Sequence, residues 1–188
     1  MSLRSRALPI DLRYAISSYL RPRVTLPQSD MLDFFSGGMM AEYRGCELPE
    51  DLFYDLDYVW ARPEEGGLIV LGITDAAQTM AGRVQKIRIK KVGTELAKGR
   101  HVATLESGKW AGGIPCPFAG TVESVNELVL NDPHLVNVGP YTDAWIAKVR
   151  PQDPAHAFDA LMTGRSAIEA LHRWIERYEV QCMRCAAP

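Results

Sequence analysis

Between Cys46 and Arg150 the chain is cut into short apolar runs separated by glycines and other turn residues. The runs are Leu68–Leu71, Val84–Ile89, His101–Leu105, Thr121–Val125 and Ala144–Val149. Runs of this length, bounded in this way, read as strands, so the region is expected to form one mainly β domain. Val84-Gln-Lys-Ile-Arg-Ile-Lys90 alternates imperfectly, as a half-buried strand does. One helix interrupts the pattern: Thr74 is a fair N-cap, Asp75–Ala81 is helix-prone, and Gly82 is a stop. No repeat at a solenoid period is visible.

The flanks differ in character. Residues 1–45 carry weak helical periodicity (Leu12, Tyr14, Ala15, Tyr19, Leu20), broken by Pro22 and Pro27 and followed by Gly37-Gly38. They are expected to be an N-terminal arm, disordered or an over-extended start, with Met39 and Met40 just before the globular stretch. Arginines and serines give the arm a faint likeness to a transit peptide. Asp11 interrupts it, and neither an unbroken apolar segment nor a small-residue cleavage site is present. Residues 151–188 are expected to be a helical extension and tail. Phe158, Leu161 and Met162, then Ile168, Leu171, Ile175 and Tyr178, recur at helical spacing. Gly164 is expected to divide two helices, Ser166 to cap the second, and Trp174 to widen its apolar face. That face is expected to pack on the β domain, the alternative being a partner-docking surface.

Composition limits the partners. With 188 residues, 47% hydrophobic, 23% charged and a net charge of −2, the chain has the balance of a soluble globular protein. It lacks an overall basic footprint for nucleic acid and any apolar stretch of about 18–20 residues for a membrane. Its four cysteines (Cys46, Cys116, Cys182, Cys185) are too few for a disulfide scaffold, which favours the reducing cytoplasm. Cys182-Met-Arg-Cys185 has the spacing of a redox pair or half a zinc site, but His172 does not complete a zinc pattern. Both are read as incidental tail thiols, and Cys46 and Cys116 as packing residues.

Chemistry is concentrated in Ala103-Thr-Leu-Glu-Ser-Gly-Lys109-Trp-Ala-Gly-Gly-Ile-Pro-Cys-Pro-Phe-Ala-Gly120. A β run climbs to Glu106, turns through Ser107-Gly108-Lys109, and an extended run descends. Gly108 is expected to take the positive φ of a tight turn. A lysine at such a tip offers its amine to a modifying enzyme, and the hairpin gives an attached group a rigid base. Most hairpin-tip lysines are merely solvated, so the lysine alone decides little.

Four stretches in order carry a resemblance to the H protein of the glycine cleavage system and its lipoate-binding relatives. They are Gly72-Ile-Thr-Asp-Ala-Ala-Gln78, Glu106-Ser-Gly-Lys109, Pro117-Phe-Ala-Gly120-Thr-Val-Glu-Ser-Val-Asn126, and Asn131-Asp-Pro-His-Leu-Val-Asn137 with Pro140-Tyr141 and Trp145. The likeness covers roughly Cys46 to Arg150. It implies a mainly β, lipoyl-domain barrel-sandwich hybrid with short helices and a C-terminal helical extension. It also implies lipoic acid covalently attached to Lys109, with Glu106, Ser107, Gly108 and Trp110 forming the recognition surface and the root of the arm. The protein would then be a carrier rather than an enzyme. Its implied partners are a lipoate ligase or lipoyl transferase, dihydrolipoamide dehydrogenase, and the enzymes of its pathway. Biotinyl domains on this fold usually flank their lysine with methionines, which this chain does not.

Three departures bear on the pathway. Gly108 and Trp110 stand where glycine cleavage H proteins commonly have valine and alanine. Tyr58 in Asp57-Tyr-Val-Trp60 replaces a family histidine, removing a group that titrates near neutral pH. Pro140-Tyr-Thr-Asp-Ala-Trp145 replaces P-Y-G-x-G-W, and the β-branched Thr142 would be strained in a left-handed turn. Together with Cys46-Glu-Leu-Pro-Glu-Asp-Leu-Phe-Tyr-Asp55, these features look closer to lipoate-binding proteins of sulfur-oxidising, heterodisulfide-reductase-like systems. A role in lipoate-dependent sulfur oxidation is therefore expected. The alternative is a glycine cleavage H protein carrying the aminomethyl group, with glycine decarboxylase and aminomethyltransferase as partners. A third reading, from another class, is an unmodified scaffold. Nothing suggests catalysis by the chain itself: the four histidines are scattered and no metal cluster or phosphate loop is present.

Overall fold

Alternation along two neighbouring strands sets the architecture. In β4 (Val59–Glu64) and β5 (Leu68–Ile73), Val59, Ala61, Ile69, Leu71 and Ile73 enter one apolar cluster, while Trp60 and Val70 enter another. Successive strand residues face opposite sides, so a sheet with two apolar faces must be covered twice. The computed structural model, which describes residues 40–56 and 58–182, shows both covers. The expected arm lies outside the described residues up to position 39.

The central sheet has seven antiparallel strands in the order β12-β3-β4-β5-β11-β10-β7. Besides β4 and β5, these are β3 (Phe53–Asp55), β7 (Glu95–Leu96), β10 (Gly120–Val125), β11 (Ala147–Pro151) and β12 (Met162–Thr163). A second sheet, β6 (Val84–Ile89), β8 (His101–Ser107) and β9 (Ala111–Pro115), contributes Ile87, Leu105 and Ile114 to the first cluster. The other cluster is closed by a hairpin of β1 (Met40–Tyr43) and β2 (Cys46–Pro49) and by a C-terminal helix, α4 (Gly164–Arg177). Ala167, Ile168, Leu171 and Ile175 of α4 pack there with Leu48, Tyr54 and Trp60. The result is the expected mainly β barrel-sandwich with short helices and a helical C-terminal segment.

Local chemistry explains the short helices. In α1 (Asp75–Ala81) the Thr74 hydroxyl accepts from the Ala77 N–H at 3.2 Å, and Gly82 ends the helix at φ 75°, ψ −166°, a conformation open in practice to glycine. Asn126 caps α2 (Glu127–Asn131) by accepting from the Leu128 N–H at 3.0 Å. Its amide also donates to the carbonyls of Asp143 and Trp145, both at 2.7 Å. Those bonds hold the approach to β11 out of the ladder, so the strand expected at Ala144–Val149 begins at Ala147. A further short helix, α3 (Leu135–Val138), follows.

The C-terminal segment differs from expectation in three ways. Met162 and Thr163 pair with Tyr54 and Phe53 as a strand, so among the described residues one α-helix follows Asp153, preceded by a 3-10 turn at Pro154–His156. Gly164 opens α4 at φ 58° rather than dividing two helices, and Ser166 donates back to the Thr163 carbonyl at 3.0 Å instead of capping. Tyr178, expected on the buried stripe, lies past the helix end and is 39% exposed. Trp174 does widen the face, packing partly buried against the second cluster.

Cys182 is not an incidental thiol. It forms a disulfide with Cys46, 136 residues away, with the Cα atoms 4.9 Å apart. Its N–H donates to the Arg44 carbonyl at 2.9 Å, so the chain after α4 returns alongside the β1–β2 turn and brings the sulfurs together. Cys185 lies outside the described residues. Cys116 is a buried free cysteine, as a packing residue should be. No described helix is long and apolar enough to cross a membrane.

Candidate functional site

From Ala103 onward the β8–β9 ladder runs in register to Glu106 opposite Ala111, which leaves Gly108-Lys109 as the tip of a tight turn closed by Ser107 and Trp110. The Ser107 N–H donates to the Trp110 carbonyl at 2.8 Å. The Ser107 hydroxyl accepts from the N–H groups of Trp110 (3.1 Å) and Lys109 (3.3 Å) and donates to the Ala81 carbonyl at 2.6 Å. One hydroxyl thus shapes the turn and ties it to the end of α1. Gly108 does not adopt a positive φ, contrary to expectation. A Cβ there would meet only Gln85 Nε2, at 3.9 Å, so the turn owes its form to Ser107 rather than to glycine.

The side chains around the tip rest on glycines. The Lys109 stem crosses Gly82, where a Cβ would stand 2.7 Å from Lys109 Cε. The Trp110 indole, 36% exposed, lies over Gly112, and the His101 ring lies over Gly113. A Cβ on Gly112 or Gly113 would run into those rings, so the Gly-Gly pair in β9 makes room for two aromatics. Glu106 faces Arg88 at 3.3 Å and Lys86 at 4.0 Å in exposed ion pairs that add little stability.

Beneath the turn lies a buried polar chain. The Asp75 carboxylate accepts from the Glu47 N–H at 2.8 Å and from Gln78 Nε2 at 2.6 Å. Gln78 Oε1 accepts from Asn137 Nδ2 at 2.7 Å, and the same amide donates to the Gly82 carbonyl at 3.0 Å. Asn137 Oδ1 accepts from the Val84 N–H at 2.8 Å. The Tyr141 hydroxyl accepts from the Asp75 N–H at 3.0 Å and donates to the Glu47 carbonyl at 2.9 Å. Gly82, on which Lys109 lies, is thereby fixed from below. Burial raises the Asp75 carboxyl above its ordinary value, partly offset by the Gln78 hydrogen bond, and burial also raises the Tyr141 hydroxyl.

The structure brings together Glu106, Ser107, Gly108, Lys109 and Trp110, the residues singled out in the sequence. Asp75, Gln78, Gly82 and Asn137 belong to the same assembly and were not singled out. Their signal was present: Gln78 and Asn137 each stand in a stretch carrying the family resemblance, and the hydrogen bond joins those stretches.

The departures also find places. Tyr58 holds φ 107°, rare for an aromatic residue, and its carbonyl accepts from the Thr74 N–H at the start of α1. Its ring meets Trp174 edge-on at 6.2 Å. Thr142 avoids a positive φ, and its hydroxyl donates to the Gly139 carbonyl at 3.3 Å, so the altered turn needs no left-handed threonine. The Cys116 thiol, pushed up to about 11 by burial, sits just past the end of β9 remote from the tip. Among the described residues no group of three or more His, Cys, Asp or Glu could hold a metal ion.

Comparison with known proteins agrees with this architecture. The glycine cleavage H-protein family profile matches residues 52–173. Glycine cleavage system H protein 3 of Aquifex aeolicus (strain VF5) is 45% identical over 152 residues, 79% of this chain and 94% of that relative. The probable glycine cleavage system H protein 2 of Sulfurisphaera tokodaii is 45% identical over 148 residues, 77% of this chain and 99% of its own length. The crystal structure of a glycine cleavage system H protein from Mycobacterium marinum superposes with a TM-score of 0.58 at 23% identity, covering 71% of this chain and all of that one, and so shares its fold. The chain belongs to the glycine cleavage H-protein family.

Proposed function

We propose that this protein is a lipoyl carrier whose Lys109 bears the lipoyl group in amide linkage. H-protein family members carry lipoate covalently on a lysine. The observation that supports Lys109 is its position at an exposed two-residue tip whose base Ser107 ties to Ala81. The residues fit such a group. The amine is accessible, the stem has a glycine shelf, and amide formation removes a charge that no carboxylate among the described residues pairs with. When attached, the lipoyl dithiolane supplies reversible thiol–disulfide chemistry. The chain's own part is positional: Ser107 holds the turn, the Asp75–Gln78–Asn137 chain holds Gly82 beneath it, and the tethered arm reaches its targets at high effective concentration.

For the pathway, the relatives' names favour glycine cleavage, with glycine decarboxylase, aminomethyltransferase and a lipoate ligase as partners. The sulfur-oxidation role expected from the sequence is retained as a second reading. It is favoured by Trp110 folded over Gly112 beside the arm's root and by Tyr58 in place of histidine.

Intact mass of the protein from a lipoate-competent host tests the carrier reading. One lipoyl adduct is expected on the unaltered chain and none on Lys109→Arg, whose guanidinium does not form the amide. An adduct that persists in Lys109→Arg overturns the assignment.

A further inference from the structure

Positive charge in this chain is concentrated in the segment that leads up to the Lys109 turn. Residues 83–109 hold eight Lys and Arg against two Glu, a formal +6 within a protein of net −2. From Gly82 to Thr94 there are five cations and no anion: Arg83, Lys86, Arg88, Lys90 and Lys91, all exposed.

The fold puts three of them, Lys86, Arg88 and Lys90, in a row at alternate positions, with Arg83 before β6 and Lys91 after it. Lys86 stands opposite Glu106 and Arg88 opposite Thr104, and the ladder continues as the Lys90 N–H donates to the Val102 carbonyl. The row therefore starts beside the turn and recedes from it for about 13 Å at about 3.3 Å per residue. β6, which carries it, is the edge of its sheet. Glu106 contacts Arg88 and Lys86, but one carboxylate cannot neutralise the three cations of the row. Lysines on an edge strand discourage edge-to-edge pairing, yet one or two charges of either sign accomplish that. A long row of one sign beside a reactive amine has the form of a steering surface.

We infer that the β6 row docks the enzyme that loads Lys109, and that this enzyme carries carboxylates around the entrance to its active site. The inference rests on Lys109 being the loaded residue. For the lysine to enter that active site, the strand next to the turn must land on its rim, and a cationic row gains most from an acidic one. The contact acts mainly on encounter, so it is expressed in KM and in salt dependence rather than in the chemical step.

The test uses the full chain and a lipoate–protein ligase from the same organism, with adduct formation followed by intact mass. In Lys86→Glu/Arg88→Glu/Lys90→Glu, kcat/KM for loading is expected to fall at least about 10-fold at low salt, through KM. The gap should close at about 0.5 M salt, where screening acts within a few ångströms. The neutral variant Lys86→Gln/Arg88→Gln should lose an intermediate amount, which guards against misfolding of the triple variant. Arg165→Glu/Arg173→Glu, exposed on α4, should load like the unaltered chain. Loading of the triple variant at the unaltered rate, or an equal loss in the α4 variant, overturns the docking surface. Absence of any adduct on the unaltered chain overturns the lipoyl reading and this inference with it.

Discussion

The Lys109 stem lies across Gly82, so that a Cβ on Gly82 would stand 2.7 Å from Lys109 Cε. Gly82 serves two purposes: its φ of 75° ends α1, and its bare backbone forms the shelf beneath the lysine. The two requirements differ in stiffness. The backbone conformation is held by Asn137 on the Gly82 carbonyl, whereas Cε is the far end of a flexible side chain. Gly82→Ala should therefore destabilise the fold by about 1–3 kcal/mol and lower Tm by roughly 3–9 °C. The lysine should swing aside and still be loaded. Thermal melting and intact mass check the two halves. A folded Gly82→Ala protein that resists loading would show that the modifying enzyme reads the shelf itself.

Asp75 gives a pH signature. Burial raises its carboxyl above the ordinary value of 3.8, so the folded state favours the protonated form. Its contribution to stability is present below that value and is lost as pH rises through the raised one. In Asp75→Asn the group stays neutral, but its single acceptor oxygen cannot serve both the Glu47 N–H and Gln78 Nε2. The variant should be less stable, by about 1–3 kcal/mol for one unmet buried donor. Its deficit should narrow as pH rises from 4 to 7 (roughly the carboxylate range and above). Chemical denaturation across that range measures it, and a deficit that widens instead would mean that the hydrogen bonds outweigh burial.

The Cys46–Cys182 disulfide holds the returning C-terminal segment to β2 and closes a loop spanning most of the described chain. Reducing it, or replacing both residues by alanine, should cost about 2–4 kcal/mol. Denaturation with and without reductant should show the loss in the unaltered chain but not in the double variant. Cys116 should stay unreactive towards thiol reagents at pH 8 until the protein unfolds, because burial removes both access and thiolate.

What could be read in the sequence was what depends on neighbours in the chain. Thr74 and Gly82 bound α1 through contacts within a few residues, and the Lys109 hairpin is likewise local. β4 escaped notice because Arg62, Pro63 and Glu64 break its apolar pattern, although β5 pairs with its whole length. Distant partners were harder. Cys182 reads as an incidental tail thiol because its partner, Cys46, is 136 residues away. Gln78 and Asn137 read as motif letters, and only their 2.7 Å hydrogen bond shows them bracing the shelf under Lys109. Gly108 misled for another reason: a glycine in a turn invites a positive φ, but here the Ser107 hydroxyl does the shaping.

The pathway test follows from the two residues that flank the lysine and from Tyr58, which stands at the opposite end of α1. If Gly108, Trp110 and Tyr58 fit the carrier to sulfur chemistry, the loaded protein should serve glycine decarboxylation poorly. Trp110 presents a partly exposed indole beside the root, and Tyr58 replaces a titratable ring with a phenol packed edge-on against Trp174. A loss of about 3 kcal/mol of complementarity at such contacts would slow transfer by roughly two orders of magnitude. If glycine cleavage is the role, turnover with glycine decarboxylase and aminomethyltransferase should match that of an established H protein. A Cβ on Gly108 would meet only Gln85 Nε2, at 3.9 Å, and Trp110→Ala removes a side chain resting on Gly112. Gly108→Val/Trp110→Ala should therefore fold and load normally. Under the sulfur reading it should gain at least about tenfold in decarboxylase-coupled turnover, corresponding to about 1.4 kcal/mol. Under the glycine cleavage reading the unaltered chain should already turn over at the reference rate. Because both carriers meet the same partner enzymes, the gain or its absence belongs to the arm's surroundings rather than to a mismatch between organisms.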